Sequence, residues 1–386
     1  MFIMRLRITL FLFLLTPLIT LAALPVPESI ITPGNLKEKY KKDKITVLVI
    51  PGHINSLRTG ASFRGINERE LTKQAADKLV ELLRLDPKFS VFTFTDVEPY
   101  FQYPDKIKEF RREAYQNSRA LSDKGIVSKN QTVQHVSIPN DDSLILYGIN
   151  KWARDHNIDI VIHLHFNDYP RPYRRLPGEY TGFAIYIPER QLFNHHSSAA
   201  VAEAVAGRLK DYFPVSDYPP ESAGLVEDQD LIAVGSPSAF YGAALLIEYG
   251  YLYEVQYIDP ELRPLAIQEL THQTYLGLKN FFDPEFSKTF RATANLPSQW
   301  TKYLRHGFRG DSDVYSLQLA LLDQGFYPPF SPEGLRRSKN DCPINGNFGG
   351  CTRKALIEFQ KNNGIEPTGF AGPATLKRLN ELYRTN

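Results

Sequence analysis

The sequence predicts an α/β protein: an open, mostly parallel sheet flanked by helices, followed by a small all-α domain of three helices. Two observations carry this. Apolar β-branched runs alternate with stretches of helical spacing from residue 45 to about residue 281, as strand, helix, strand units do. Beyond residue 282 the alternation fades through FDPEFSK and NLPSQWT, and only short helical runs follow.

In chain order, residues 45–50 read ITVLVI, a continuous run of the kind buried on both faces of a parallel sheet, and Pro51-Gly52-His53 then turns the chain. Residues 67–84 place Leu71, Ala75, Leu79, Leu82 and Leu83 at helical spacing, and 90–95 return to strand. The pattern recurs as a helix over 143–156, strands over 158–166 and 181–187, a helix over 196–212, a strand over 243–249 and a helix over 261–281. Residues 23–44 read as an N-terminal lead, polar over 35–44. Residues 97–140, basic and aromatic at PYFQYPDKIKEFRREAY, read as an insertion with one helix near a strand end. The helix-flanked sheet domain thus spans 45–285, a linker 286–304, and the small domain 305–386, with helices over 313–324, 352–363 and 373–383.

At the N-terminus Arg5 and Arg7 precede the apolar ITLFLFLL and the small residues of Thr20-Leu21-Ala22-Ala23, the arrangement of a secretory signal over residues 1–22. An uncleaved anchor helix is the alternative, and Pro17 interrupts its run. No Cys follows, which excludes lipid attachment there. The 386 residues carry 45 Lys and Arg against 43 Asp and Glu, and both surplus cations lie in that first segment. Such a balance offers no field to hold a phosphate polymer, so a nucleic-acid partner is disfavoured, and membrane contact is expected only through an uncleaved signal segment. Residues 302–386 hold twelve basic and eight acidic residues, a mild bias toward anionic surfaces. The two cysteines, Cys342 and Cys351, flank PINGNFGG in a chain expected to be exported, so a loop-closing disulfide is expected. A metal pair is the alternative, but two thiols with no neighbouring His make a poor zinc site.

Open α/β sheets place ligands beyond the carboxyl ends of their strands. His53 follows the first strand, His165 ends IDIVIHLHF, Glu248 lies near the end of AALLIEY, and Glu68 opens the helix after the Gly65 turn. Two His and one carboxylate are the ligand set of a hydrolytic zinc site, and a further carboxylate is the base such a site needs. Singly, each is more commonly a structural residue. His163 and His165 are expected to point to opposite faces, or only one to reach the cleft from the frayed strand end. Glu248 interrupts an apolar strand, where an ionised carboxylate calls for a cationic partner or a metal. Glu68 and Glu70 both lie at a helix start, where dipole complementarity is reason enough for an acid, and spacing alone does not choose between them.

The succession PGH, GINERELTKQAADKL, DIVIHLHFN and LLIEYGY resembles the zinc-dependent N-acetylmuramoyl-L-alanine amidases over residues 45–280. The resemblance implies a zinc-exopeptidase-like amidase fold, zinc (Zn2+) held by His53, Glu68 and His165, a cleft shaped by Asn167, and Glu248 as catalytic acid/base. It favours Glu68 over Glu70 as the acid followed by a basic residue. Ile50 stands where the family pattern has Asp, Ile54-Asn55 where it has a Gly pair, His163 where it has Ser, and Glu254 where it has Asn. None of these removes a ligand or the base. In the loop after His165, Arg171, Arg174 and Arg175 either bind a peptide carboxylate or lactyl oxygens or form a solvated basic loop.

In the small domain Asp313-Val314, Leu317-Gln318, Leu321, Gly325, Asn345-Gly346-Asn347-Phe348-Gly349, Thr352, Ala355, Phe359-Gln360, Gly364, Thr368-Gly369 and Gly372-Pro373-Ala374-Thr375 resemble the three-helix peptidoglycan-binding module. Its core is expected at Leu317, Leu321, Phe348, Ala355, Phe359 and Leu376. The segment 327–341 is longer than this module usually has, and a disulfide would staple the resulting loop. The two resemblances imply a secreted or periplasmic, envelope-associated hydrolase that cuts the amide between N-acetylmuramic acid and L-alanine of peptidoglycan. The rival readings are a non-catalytic peptidoglycan-binding or amidase-regulating protein, and a zinc amidohydrolase or peptidase acting on another acyl-amino-acid substrate. There is no GxGxxG after a strand, no P-loop and no GxSxG; the RGD at 309–311 and the sequon at 130–132 read as chance.

Overall fold

The computed structural model describes residues 31–54, 59–124, 140–171, 173–190, 192–228, 230–234, 242–286, 293–297, 299–331 and 334–383. The segment read as a signal peptide and the sequon lie outside the described residues. Among the described residues no helix is long and apolar enough to cross a membrane.

The sheet contains β1 (Ile45–Pro51), β4 (Phe89–Thr93), β5 (Ile160–Asn167), β6 (Ala184–Ile187), β7 (Leu225–Glu227) and β8 (Ala243–Tyr251), in the order β4-β1-β5-β8-β6-β7. All neighbours run parallel except β6 against β8. A two-strand hairpin, β2 (Ser62–Phe63) and β3 (Ile66–Asn67), precedes α2 (Glu68–Leu85).

Strand alternation sorts the core into two layers. Val47, Val49, Ile160, Ile162, Leu164, Leu245 and Ile247 are buried in one cluster with α2, α6 (His195–Tyr212) and α8 (Arg263–Phe282). On the other face Leu48, Ile50 and Val161 pack against α3 (Phe94–Val97) and α5 (Asn140–Asp155) through Phe94, Ile149 and Trp152. Among the described residues this part of the chain also carries the α-helices α1 (Pro33–Lys42), α4 (Pro104–Asp123) and α7 (Val255–Ile258).

Three local differences from the sequence reading have plain causes. The polar lead is helical from Pro33: Thr32 accepts from the Asn35 N–H at 3.1 Å, Pro33 takes the first turn, and Lys39 pairs with Asp159 at 2.7 Å. The strand expected to reach residue 95 stops at Thr93, whose N–H donates to Asp96 Oδ2 at 2.7 Å as the chain turns into α3. The short β2, β3 and β7 are too brief to leave a period in the sequence.

The C-terminal helices α9 (Ser312–Asp323), α10 (Gly350–Asn362) and α11 (Pro373–Leu382) lie within two residues of their expected bounds. Leu317, Leu321, Phe348, Ala355, Phe359 and Leu376 are buried as expected, and Cys342 and Cys351 form a disulfide. These residues belong to the same buried cluster as the sheet's α8 face, so the three-helix unit is docked on the sheet domain. Lys339 Nζ donates to the Lys210 carbonyl at 2.5 Å and Asn340 Nδ2 to that of Val215 at 3.3 Å. The chain between the two units is also tied down: Glu269 on α8 accepts from Thr293 Oγ1, the Ala294 N–H and Asn295 Nδ2 at 2.7, 3.0 and 2.8 Å.

Candidate metal centre

Three neighbouring strands end at one place. His53 follows β1, His165 lies near the end of β5, and Glu248 sits opposite His165 in the β5–β8 register, so the last two share a face of the sheet. Glu68, the first residue of α2, enters from the hairpin side; Asn67 caps the helix by accepting from the Glu70 N–H at 3.1 Å. Glu68 is buried and grouped with the two histidines, whereas Glu70 is exposed.

Glu68 bridges the two imidazoles. Its Oε2 lies 3.0 Å from His53 Nε2 and its Oε1 2.9 Å from His165 Nδ1. One ligand atom from each of the three residues falls within 4.8 Å of the others, a nitrogen, nitrogen, oxygen donor set suited to zinc. Burial acts to raise the Glu68 carboxyl, but its hydrogen bonds and attraction to His165 and His53 outweigh this and hold it well below the usual carboxylate range. The backbone also makes room for these side chains. A Cβ on Gly52 would stand 2.5 Å from the His165 ring, and one on Gly60, whose φ is +76°, would stand within 2.4 Å of Glu68 and 2.6 Å of His53.

Glu248 is partly exposed as a residue, yet its Oε2 is buried with no hydrogen-bond partner among the described residues. Burial raises its carboxyl well above the usual range, and the charges of Glu68 and Glu221 add to the effect. Among the described residues Glu248 makes no ion pair with a cationic side chain; it stands opposite His165 of the triad, and Glu68 acts on its charge.

His163 and His165 both line a cavity of about 540 Å3, correcting the expectation that they part to opposite faces: a spacing of two puts both on one. His163 is buried and stands outside the triad of His53, Glu68 and His165; burial, with the charge of His165 second, pushes its pKa down to about 3. Ile50, Ile54 and His163, three departures from the family pattern, line this same cavity with Ile145, Leu146 and Leu231. The fourth, Glu254, is a structural staple that accepts from the Gly182 and Tyr251 N–H groups at 3.0 and 2.8 Å and from Gln256 Nε2 at 2.9 Å.

Asn167 ends β5 with its amide turned onto a buried carboxylate that periodicity does not reveal. Glu221, 2% exposed, accepts from Asn167 Nδ2 at 2.8 Å, Tyr186 OH at 2.7 Å, Ser216 Oγ at 2.6 Å and Tyr251 OH at 3.0 Å. Arg171 is not a solvated loop residue. Its side chain is 11% exposed, its Nη2 donates to Ser62 O at 3.0 Å and Asp168 Oδ2 at 3.1 Å, and its guanidinium lies 4.8 Å from the Phe63 ring centroid. With Arg64 and the exposed Arg174 it lines a cavity of about 680 Å3 that reaches Thr59, next to Gly60. Arg175 is exposed and its carbonyl accepts from Arg64 Nη2 at 3.4 Å.

Residues 47–257, more than half of the chain, match the N-acetylmuramoyl-L-alanine amidase family, and the chain belongs to it. Residues 310–379 match the peptidoglycan binding domain family. Among solved structures the chain is similar to the N-acetylmuramoyl-L-alanine amidase from Clostridium difficile 630, at 16% identity and a TM-score of 0.38 over 64% of this chain and 100% of that one. It is also similar to the amidase Ami1 from Mycobacterium smegmatis, at 14% identity and a TM-score of 0.41 over 63% of this chain and 98% of that one. No curated protein matches the chain.

Proposed function

We propose that the protein is an exported, zinc-dependent cell-wall hydrolase that cuts the amide between N-acetylmuramic acid and L-alanine. The proposed organisation is a signal peptide (1–22), a lead (23–44), the amidase domain (45–285), a linker (286–304) and the peptidoglycan-binding domain (305–386). The observation that carries the reading is the convergence of His53, Glu68 and His165 on one point with Glu248 on the adjoining strand, in a chain of the amidase family.

In this reading His53, Glu68 and His165 hold the ion. Zinc bound there supplies Lewis-acid polarisation of the scissile carbonyl and lowers the pKa of a water toward ~7. Glu248 takes the proton of the attacking water on its carboxylate and returns it to the leaving amine of L-alanine, a role worth roughly 10²–10⁴ in rate. Asn167, held by Glu221, shapes the cleft, and Arg171 and Arg174 offer cationic N–H groups to a stem-peptide carboxylate.

The test is incubation of purified protein with peptidoglycan, with and without chelator, and mass spectrometry of the released products. Free stem peptides starting with L-alanine, absent after chelation, are expected. Zinc at about one per chain is expected in the wild type and lost in His53→Ala and His165→Ala. Full zinc retention in both variants would overturn the ligand set, and a protein that binds wall without releasing peptide would establish a non-catalytic binder.

A further inference from the structure

The amide between N-acetylmuramic acid and L-alanine has one methyl on either side, that of the lactyl group and that of alanine. The sugar and the stem peptide beyond them are polar. The cavity of about 540 Å3 that both His53 and His165 line is of another character. Ile50 and Leu246 line it from β1 and β8, Ile145, Leu146 and Ile149 from α5, and Leu231 from the chain after β7. Ile145, Leu146 and Leu231 keep part of their surface exposed, as side chains that wall an open cavity do. A cavity of this size and polarity beside a reactive centre suits an apolar group larger than a methyl.

Its wall is fixed rather than a chance gap. Asn150 on α5, itself buried, donates from Nδ2 to the Ile232 carbonyl at 2.6 Å. The Ile232 side chain is buried with Ile107, Phe110 and Ala114 of α4, so the inserted segment props this side of the cavity. The cavity of about 680 Å3 also abuts the metal centre. Its walls include Asn67, which precedes Glu68, and Asp168, which follows His165 by three residues. Among the described residues Arg64, Arg171 and Arg174 line it against one carboxylate, Asp168, a cationic surplus that suits an anion. Gly60 and Ala61 line the apolar cavity and Thr59 and Ser62 the cationic one, so one short segment borders both.

An apolar cavity, an amide-cleaving centre and a cationic cavity at one place match a molecule with an acyl chain, an amide and a carboxylate. We propose that the site also hydrolyses N-acyl amino acids with apolar acyl chains, the chain lying against Leu146 and Leu231 and the carboxylate at Arg174. This rests on the reading of the site as an amide-hydrolysing zinc centre and adds a second class of substrate. Water adds across the amide: the acyl carbon gains the hydroxyl, the C–N bond breaks and the nitrogen takes the proton. A fatty acid and a free amino acid leave.

The experiment uses the full chain. N-acetyl-, N-hexanoyl- and N-decanoyl-L-alanine, below their micellar concentrations, are titrated into chelator-treated protein in a calorimeter, and release of L-alanine is followed with zinc present. Affinity should rise about threefold per buried methylene, so the decanoyl compound should bind at least ~10²-fold tighter than the acetyl one. Leu146→Gln and Leu231→Gln, on separate segments, should each weaken decanoyl binding at least about tenfold with zinc content kept. Uncharged N-decanoyl-L-alaninamide should bind about threefold weaker than the acid, a difference that vanishes in Arg174→Gln. Equal affinity across the acyl series, wild-type affinity in both leucine variants, an amide that binds as tightly as the acid, or tight binding without release of L-alanine would overturn the proposal. Cleavage of a soluble muropeptide but not of N-decanoyl-L-alanine sinks the proposal and leaves the amidase reading standing. The reverse supports the proposal and removes the muramoyl amide as the substrate.

Discussion

Arg69 Nε donates to the carbonyl oxygen of His53 at 3.0 Å, so the residue next to Glu68 in the chain holds the backbone of the histidine facing Glu68. His53 needs such support because its φ of 59° lies in the left-handed region, which is costly for a residue with a Cβ. Thr72, one turn along α2, fixes the preceding residue by donating to the Gly52 carbonyl at 3.0 Å. The start of α2 therefore supplies one member of the triad and holds the loop bearing another.

Arg69→Ala should weaken zinc binding by about 10–100-fold while leaving the far-ultraviolet circular dichroism unchanged, since supporting contacts of this kind set ligand geometry. Competition against a chelator of known affinity checks it, and undiminished affinity would show that the contact does not matter. Gly60→Ala should be harsher: the new Cβ meets Glu68 and His53 and the backbone is strained at φ +76°, so substoichiometric zinc is expected.

Much of this was legible in the sequence where residues act through period or position. The β-branched runs gave the central strands, and strand ends gave His53, His165 and Glu248, because a parallel sheet brings those ends together whatever lies between them. What stayed hidden acts through tertiary contact. Glu221 sits in an aperiodic PPES segment, and nothing local shows that Asn167, Tyr186, Ser216 and Tyr251 converge on it. The segment 286–304 has a linker's composition, yet Glu269 holds its described part through three hydrogen bonds.

Glu248→Gln should separate catalysis from stability. The amide is isosteric and cannot accept a proton, so turnover should fall by at least ~10²-fold with zinc retained. Burial and the charges of Glu68 and Glu221 raise this carboxyl, so in chelator-treated protein its ionisation costs stability as pH rises above its ordinary value. The metal-free variant should accordingly melt no lower than metal-free wild type at pH 7. A lower melting temperature with near wild-type cleavage of muropeptide would contradict the base assignment.

Asp86 and Lys279, both nearly buried, join the end of α2 to α8 through a 2.7 Å ion pair, and Tyr275 OH donates to the same carboxylate at 3.0 Å. Burial acts to raise the Asp86 carboxyl, but Lys279, the Lys88 N–H and Tyr275 outweigh it and hold it below its ordinary value. A carboxyl depressed on folding contributes stability that is complete above the unfolded value of about 4 and is lost as pH falls through the lower folded value. Asp86→Asn leaves the Lys279 ammonium without its anion and should cost about 3–5 kcal/mol at pH 7. Denaturant titrations at several pH values should show that difference narrowing below pH ~4; a constant gap would mean that the charge of Asp86 is not what stabilises the joint.

The docked C-terminal unit leads to a prediction that independent domains would not share. Lys339 and Asn340 donate to carbonyls of the sheet domain, and Gly346 lies so close that a Cβ there would meet Leu262 at 2.8 Å. Leu262, Tyr257 and Tyr212 are buried in the cluster that also holds Val314, Tyr315 and Leu317, so removing residues from Lys302 onward exposes an apolar face. Exposed apolar area of that kind costs about 25 cal/mol per Å2 and invites association. The full chain should therefore melt in one transition. The truncated chain should melt several degrees lower and self-associate, besides losing affinity for insoluble wall. Calorimetry with light scattering tests this: two transitions in the full chain, with an unshifted melting temperature and a monomeric truncated domain, would show that the two units do not stabilise one another.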